Sequence, residues 1–217
     1  KGVLWIGTNN GLDLYNPTLN IISHFKSGGS PTSLSNEDIR SIYQDQSGNI
    51  WIGTYNGLNK VDQNPSRFTP FQNDPDDPNS LSDNIVYAFL EDEKNLTWIA
   101  TYGGVNIFDR KNDRFTFIRH DPANSESLSS DKTRTIVLDS SGFIWVGTES
   151  SGMNRLDRKT GEITRYYHNP ADPNSLSENN ILSATVDRKG RIWVGTLSGG
   201  INIIDPADGK CQHINKD

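Results

Sequence analysis

Arg40, Tyr87, Arg134 and Leu182 recur at intervals of 47, 47 and 48 residues, and each stands beside a small residue: Ser41, Ala88, Thr135 or Ser183. A second variable set keeps the same beat: Asn9–Asn10, Tyr55–Asn56, Tyr102–Gly103, Glu149–Ser150 and Leu197–Ser198. Arginine grips a carboxylate or sulfate bidentately, and a tyrosine ring stacks on the apolar face of a sugar. Arg40, Tyr55, Asn56, Tyr87, Tyr102, Arg134 and Glu149 are therefore the candidate ligand-binding residues, suited to a sugar or an acidic oligosaccharide. The competing explanation is that surface turns drift where nothing constrains them.

Other chemistry is poorly supported. His24, His120, His168 and His213 share the beat but fall on or next to the outermost strand of each repeat, where solvation is the simpler role. Asp45, Asp92, Asp139 and Asp187 each precede a tryptophan by six residues, one carboxylate per turn, which fits a hairpin better than calcium. The loop Asp74 to Ser82, DPDDPNSLS, matches no EF-hand spacing and reads as a rigid turn. The single Cys211 excludes an intrachain disulfide framework and a multi-cysteine zinc site. No G-x-S-x-G, H-E-x-x-H or phosphate-loop motif is present, so neither metal nor cofactor is expected.

The elements that must position these residues follow from the tryptophans. Trp5, Trp51, Trp98, Trp145 and Trp193 lie 46, 47, 47 and 48 residues apart, each within a phrase such as IWIGTYNGLNKVD or IWVGTLSGGINIID. A regular period in the 40–50 range marks a repeat architecture. Within the third repeat four short strands are legible: Ile85 to Asp92, Thr97 to Thr101, Val105 to Asp109 and Phe115 to His120. Four antiparallel strands per period make a propeller blade. The expected fold is thus an all-β propeller of about 19 strands, four complete blades and one lacking its first strand, read as part of a larger propeller. Blade limits fall near 1–35, 36–82, 83–130, 131–177 and 178–217 of a single segment. The Gly at three of the four aspartate turns, with Asn95 at the fourth, supplies a left-handed position, and the tryptophans read as wedges between blades.

Composition agrees. Asn, Ser, Gly and Pro make up 74 of 217 residues, as a chain of tight turns requires. Net charge is −6 without a basic patch, which disfavours nucleic acid. The longest apolar run, IVYAFL at Ile85 to Leu90, is far short of the ~18–20 residues that span a bilayer, so no membrane contact is expected of this segment. The opening KGVLWIGT falls inside a strand motif, and the chain is read as an excised or mature piece of something longer.

The phrase D-x-x-G-x-I-W-[IV]-G-T-x-x-G-[GL]-[LIV]-N, with the loops DPDDPNSLSDN and NPADPNSLSEN, resembles the two-component regulator propeller repeat across essentially the whole chain. That resemblance implies a periplasmic sensor region of a bacterial membrane regulator, a hybrid histidine kinase of glycan-utilising bacteria or a diguanylate cyclase. In such proteins the propellers precede a β-sandwich, a membrane helix and a cytoplasmic output module. It implies a non-enzymatic, carbohydrate-sensing role with self-association through the parent protein. The alternative is an assembly propeller that binds only protein. Two enzyme readings are weaker. The D-x-x-G-x-x-W turn resembles a sialidase Asp-box but is one residue longer, and Arg40, Arg134 and Tyr87 are too few for an arginine triad with its Tyr/Glu pair. Streptogramin lyases, loosely similar propellers, use an axial histidine with magnesium, and no histidine falls on an inner strand here.

Overall fold

Runs of β-branched and aromatic residues cut by turn residues form nineteen strands in the computed structural model, which describes residues 2–61 and 67–214. They fold as five antiparallel meanders. The first sheet holds β1 (Leu4–Thr8), β2 (Gly11–Asn16) and β3 (Ile21–Phe25). The second holds β4 (Ile39–Gln44), β5 (Ile50–Thr54), β6 (Gly57–Val61) and β7 (Phe68–Phe71). The third holds β8 (Val86–Glu91), β9 (Leu96–Thr101), β10 (Gly104–Asp109) and β11 (Arg114–Ile118). The fourth holds β12 (Thr133–Leu138), β13 (Phe143–Thr148), β14 (Met153–Asp157) and β15 (Ile163–Tyr166). The fifth holds β16 (Ile181–Val186), β17 (Ile192–Thr196), β18 (Ile201–Ile204) and β19 (Cys211–Ile214). Strands β4, β8, β12 and β16, the first of each complete blade, pack in series along the inner edge, and β1, the tryptophan strand of the first blade, packs on β4. Four four-stranded blades and one three-stranded blade are what the repeat arithmetic predicts.

Each tryptophan of the first four blades packs onto the blade that follows it. Trp51 meets Val86, Ile99 and Phe108; Trp98 meets Ile136, Ile144 and Leu156; Trp145 meets Ile181, Ile192 and Ile204. An indole buries roughly 150–250 Å² of mostly apolar surface, the main adhesive between sheets. Its one polar atom is satisfied locally. Trp51 Nε1 donates to Asp45 Oδ2 at 2.7 Å, and Trp98, Trp145 and Trp193 make the same bond to Asp92, Asp139 and Asp187 at 3.0, 2.8 and 2.9 Å. The other carboxylate oxygen caps the turn: Asp139 Oδ1 accepts from the amides of Ser141 and Phe143 at 2.9 and 3.0 Å. These aspartates are structural, saturated by protein donors. Asn95, standing where the other turns have glycine, does adopt the left-handed backbone, with φ of 59°.

The serine-rich loops are clasps. Leu34, Leu81, Leu128 and Leu176 are buried plugs, and the serine after each is held by a fully buried asparagine. Asn106 Oδ1 accepts from Ser82 N at 2.8 Å while its Nδ2 donates to Ser82 Oγ at 2.7 Å, and Asn59, Asn154 and Asn202 repeat the pattern. Two of the three acidic residues of the 74–82 loop cap its own turns: Asp74 Oδ1 accepts from Asp76 N and Asp77 Oδ1 from Asn79 N. The rigid-turn reading of that loop describes what it does.

The outward faces of the terminal blades differ from the inner junctions. Ile6 is 38% exposed, whereas Ile52, Ile99 and Val194 at the same repeat position are fully buried. No blade among the described residues covers the first sheet from that side.

Candidate functional site

Ladder pairing in each inner strand slips by one residue: between Ile39 and Ser41, Val86 and Ala88, Thr133 and Thr135, and Ile181 and Ser183. The extra residue in each case is Arg40, Tyr87, Arg134 or Leu182. A β-bulge leaves its residue unpaired and re-aims its side chain, so the variable inner-strand positions are bulge positions. Crowding explains the small neighbours. A Cβ on Gly147 of β13, for example, would come within 2.5 Å of Ile181 Cγ2 on the next blade.

The bulges gather the candidates into one cluster. The Arg40 guanidinium lies 5.3 Å from the Tyr55 ring centroid and 6.0 Å from that of Tyr87. Arg134 approaches the same Tyr87 ring at 5.0 Å and Tyr102 at 5.9 Å. Tyr87 and Tyr102 pack with centroids 5.2 Å apart and a 35° tilt, and the Tyr87 hydroxyl donates to that of Tyr102 at 3.3 Å. Arg134 Nη2 donates to the Tyr102 hydroxyl at 2.9 Å and to Glu149 Oε1 at 3.0 Å. Tyr87 is thus flanked by two guanidiniums. Asn56, next to Tyr55, bonds through its backbone: its main-chain N–H donates to Thr54 Oγ1 and its main-chain carbonyl accepts from Gln72 Nε2.

Two partners escape a reading confined to the variable positions. Asp38 accepts from Arg40 Nη2 at 2.5 Å, and Lys132 Nζ lies 3.8 Å from Glu149 Oε2 and 5.5 Å from the Tyr102 ring centroid. Both stand two residues before a bulge, at positions 94 residues apart in the repeat, so the same alignment shifted by two would have shown them.

Electrostatics tie the cluster together. The hydrogen bond from Tyr102 holds the Glu149 carboxyl below the usual range; burial opposes this, and Arg134 and Lys132 reinforce it. Burial first, then the hydrogen bonds to Tyr87 and Glu149, push the Tyr102 phenol well above its ordinary value. The group thus combines two arginines and a lysine with two carboxylates, Asp38 and Glu149, around a Tyr102 phenol that stays neutral near pH 7. Its hydrogen-bonding capacity is incompletely used, since Arg134 Nε and Glu149 Oε2 are buried without a hydrogen-bond partner. Such an arrangement offers cationic donors beside flat aromatic faces.

The histidines sit elsewhere. His24 is on β3 and His213 on β19, and His120 and His168 follow β11 and β15, where their Nδ1 atoms bond the carbonyls of Leu128 and Leu176 at 2.7 and 2.6 Å.

With this geometry in hand, the pattern of the two-component regulator propeller matches residues 33–56, 80–103, 127–150 and 175–198. The chain contains four two-component regulator propeller repeats. Each matched window crosses a bulge and ends at the following β-turn, so all seven candidate residues lie inside one. Among solved structures, the extracellular domain named for the hybrid two-component system BT3049 of B. thetaiotaomicron is similar at 23% identity and a TM-score of 0.82, over 97% of this chain and 28% of that one. The extracellular domain of the one-component system BT4673 from the same organism is 23% identical with a TM-score of 0.61, over 98% and 36%. A catalytically inactive virginiamycin B lyase from Staphylococcus aureus, crystallised with quinupristin, is 15% identical with a TM-score of 0.68, over 100% and 67%. These likenesses show the propeller fold. The chain spans about a third of the two extracellular domains it resembles. No curated protein matches the sequence. Among the described residues no helix is long and apolar enough to cross a membrane.

Proposed function

We propose that this propeller segment is the non-enzymatic, extracytoplasmic sensing part of a bacterial membrane regulator, placed in the periplasm, and that it binds an acidic oligosaccharide at the bulge cluster. One observation carries the proposal: four successive blades bulge at the same position, and three of the bulged residues converge as Arg40, Tyr87 and Arg134. The arginines would hold carboxylate or sulfate groups while Tyr55, Tyr87 and Tyr102 present ring faces to the sugar. Extracellular regulator domains among the similar structures support the placement, and the absence of histidine from the described inner strands supports a binding role over lyase chemistry. Signalling then needs only that the ligand prefer one arrangement of associated copies over another.

Calorimetric titration with neutral and acidic oligosaccharides tests this. An acidic glycan is expected to bind, and Arg134→Ala is expected to weaken it by roughly 10–100-fold, the worth of one or two charge-assisted hydrogen bonds. Tyr102→Phe, which keeps the ring, is expected to lose less. No binding across the panel, or unchanged affinity in Arg134→Ala and Arg40→Ala, would reject the site and leave the protein-assembly reading.

A further inference from the structure

On the opposite face one inter-blade groove lacks the clamp that the other blades carry there. At the junction of the second and third blades, Arg110, just after β10, reaches back to Asp45 and Glu91. At the next junction Arg158, at the same repeat position, reaches Asp92 at 3.4 Å and Glu93 at 2.9 Å. At the junction of the fourth and fifth blades Asp139 remains, held by Trp145 and its own turn, but the arginine and the second acid are gone: Pro206 stands where Arg158 would, and Ser140 where Glu93 would. The space is left open. The groove containing Arg158 has a volume of about 260 Å³, and its counterpart bounded by Pro206 and Ser140 about 620 Å³.

The open groove keeps three cations but a single lining carboxylate, against two in the groove before it. Arg155, Lys189 and Arg191 line it, with Asp205 as the acidic member. Arg155 takes the place held by Ile107 one blade earlier, facing its cross-strand partner Trp145. Its guanidinium lies 3.8 Å from the Phe143 ring centroid and 5.6 Å from that of Trp145, so the fork is held flat, and its Nε is buried without a hydrogen-bond partner. Arg191 is ion-paired with Asp187, whose Oδ2 accepts from its Nε at 2.8 Å and lies 2.7 Å from its Nη2, which fixes its direction and offsets its charge. In a protein of net charge −6, two oriented guanidiniums and a lysine around an unfilled inter-blade groove form a local exception. Stacked, pre-oriented arginine matches the planar or tetrahedral array of oxyanion acceptors.

We propose that the groove between the fourth and fifth blades, lined by Arg155, Lys189 and Arg191, binds a small oxyanion, a sulfate, phosphate or carboxylate group, that replaces the missing inter-blade clamp. The bound anion draws the two blades together as Arg158 does at the previous junction. This site is independent of the bulge cluster and does not rest on the reading given for it.

The test is a ¹H–¹⁵N NMR titration of the chain with sodium sulfate, with sodium chloride at matched ionic strength as control. Saturable shifts are expected at the Arg155 Nε–H and the Gly190 amide with sulfate and not with chloride. Arg155→Ile, which borrows the residue of the preceding blade and so preserves packing, is expected to weaken sulfate at least tenfold. The double variant Ser140→Glu/Pro206→Arg, which rebuilds the clamp, is expected to abolish binding. Non-saturating shifts, equal shifts with chloride, or wild-type affinity in both variants would overturn the proposal. So would loss of the groove shifts in Arg134→Ala, which would move the anion to the other face. A sulfated disaccharide run in parallel identifies the source. Binding tenfold tighter than sulfate means that the oxyanion arrives on a glycan, and equal binding means a free ion; either supports the site.

Discussion

Replacing Trp145 by alanine is expected to destabilise the protein by about 4 kcal/mol and lower its melting temperature by roughly 8–16 °C, the range for a large buried aromatic in a chain of this size. Trp145 is fully buried against Ile181, Ile192 and Ile204, so its removal opens a cavity at a blade junction. It also strips Asp139 Oδ2 of its indole donor in a place where water cannot readily substitute. Trp193 makes the same bond, to Asp187 at 2.9 Å, but no described blade follows it and it is only partly buried. Trp193→Ala is therefore expected to cost less than half as much. Differential scanning calorimetry of both variants decides the matter. Equal losses would show that the tryptophans act within their own blades rather than as wedges between them.

That wedge role was legible because period and residue type suffice for it. The 46–48-residue beat sets the blade, and alternating apolar residues set strand boundaries to within a residue or two: β8 runs Val86–Glu91 where the pattern suggests Ile85 to Asp92. Glycine or asparagine in the aspartate turns likewise announces a positive φ. What stayed hidden depends on geometry that spacing does not carry. The bulges are invisible, because a constant 47-residue interval says nothing about which residue of β12 faces Gly147 or Val146 on β13. The Asp139–Trp145 bond needs the hairpin folded before a six-residue separation becomes a contact. Arg110 and Asp45 lie 65 residues apart, and only the angle between consecutive blades brings them together. For the candidate site, the repeat alignment selected Arg40, Tyr87 and Arg134 as variable positions. It could not show that two arginines would flank one tyrosine.

The Arg110 clamp yields the second large effect. Arg110 pairs with both Asp45 and Glu91, whose side chains are completely buried, while its own is 17% exposed. Removing the shared cation while keeping its hydrocarbon bulk, as in Arg110→Met, leaves two carboxylates facing each other out of water. Such uncompensated burial costs about 3–5 kcal/mol. The penalty should depend on pH. In the wild type, burial pushes the Asp45 carboxyl up. Hydrogen bonds from Trp51 and Asn49, with the charge of Arg110, outweigh it and hold the group below its ordinary value. A depressed folded value means that the unfolded chain binds the proton more readily. The Asp45 contribution is therefore complete above the unfolded value near 3.9 and is lost as pH falls through the folded one. Above pH 5 the wild type is insensitive on this account. In Arg110→Met the Trp51 and Asn49 donors to Asp45 remain, but the two crowded carboxylates repel without their cation, which favours proton uptake by the pair on folding. The variant should then recover stability as pH falls from 7.5 to 5, while the wild type does not. Urea unfolding at those two values measures the difference directly, and a deficit that stays constant with pH would rule out charge as its origin. Arg158→Met is the internal control. One of its partners, Asp92, is buried, but the other, Glu93, is 61% exposed and water can take over its solvation, so both the loss and its pH dependence should be smaller.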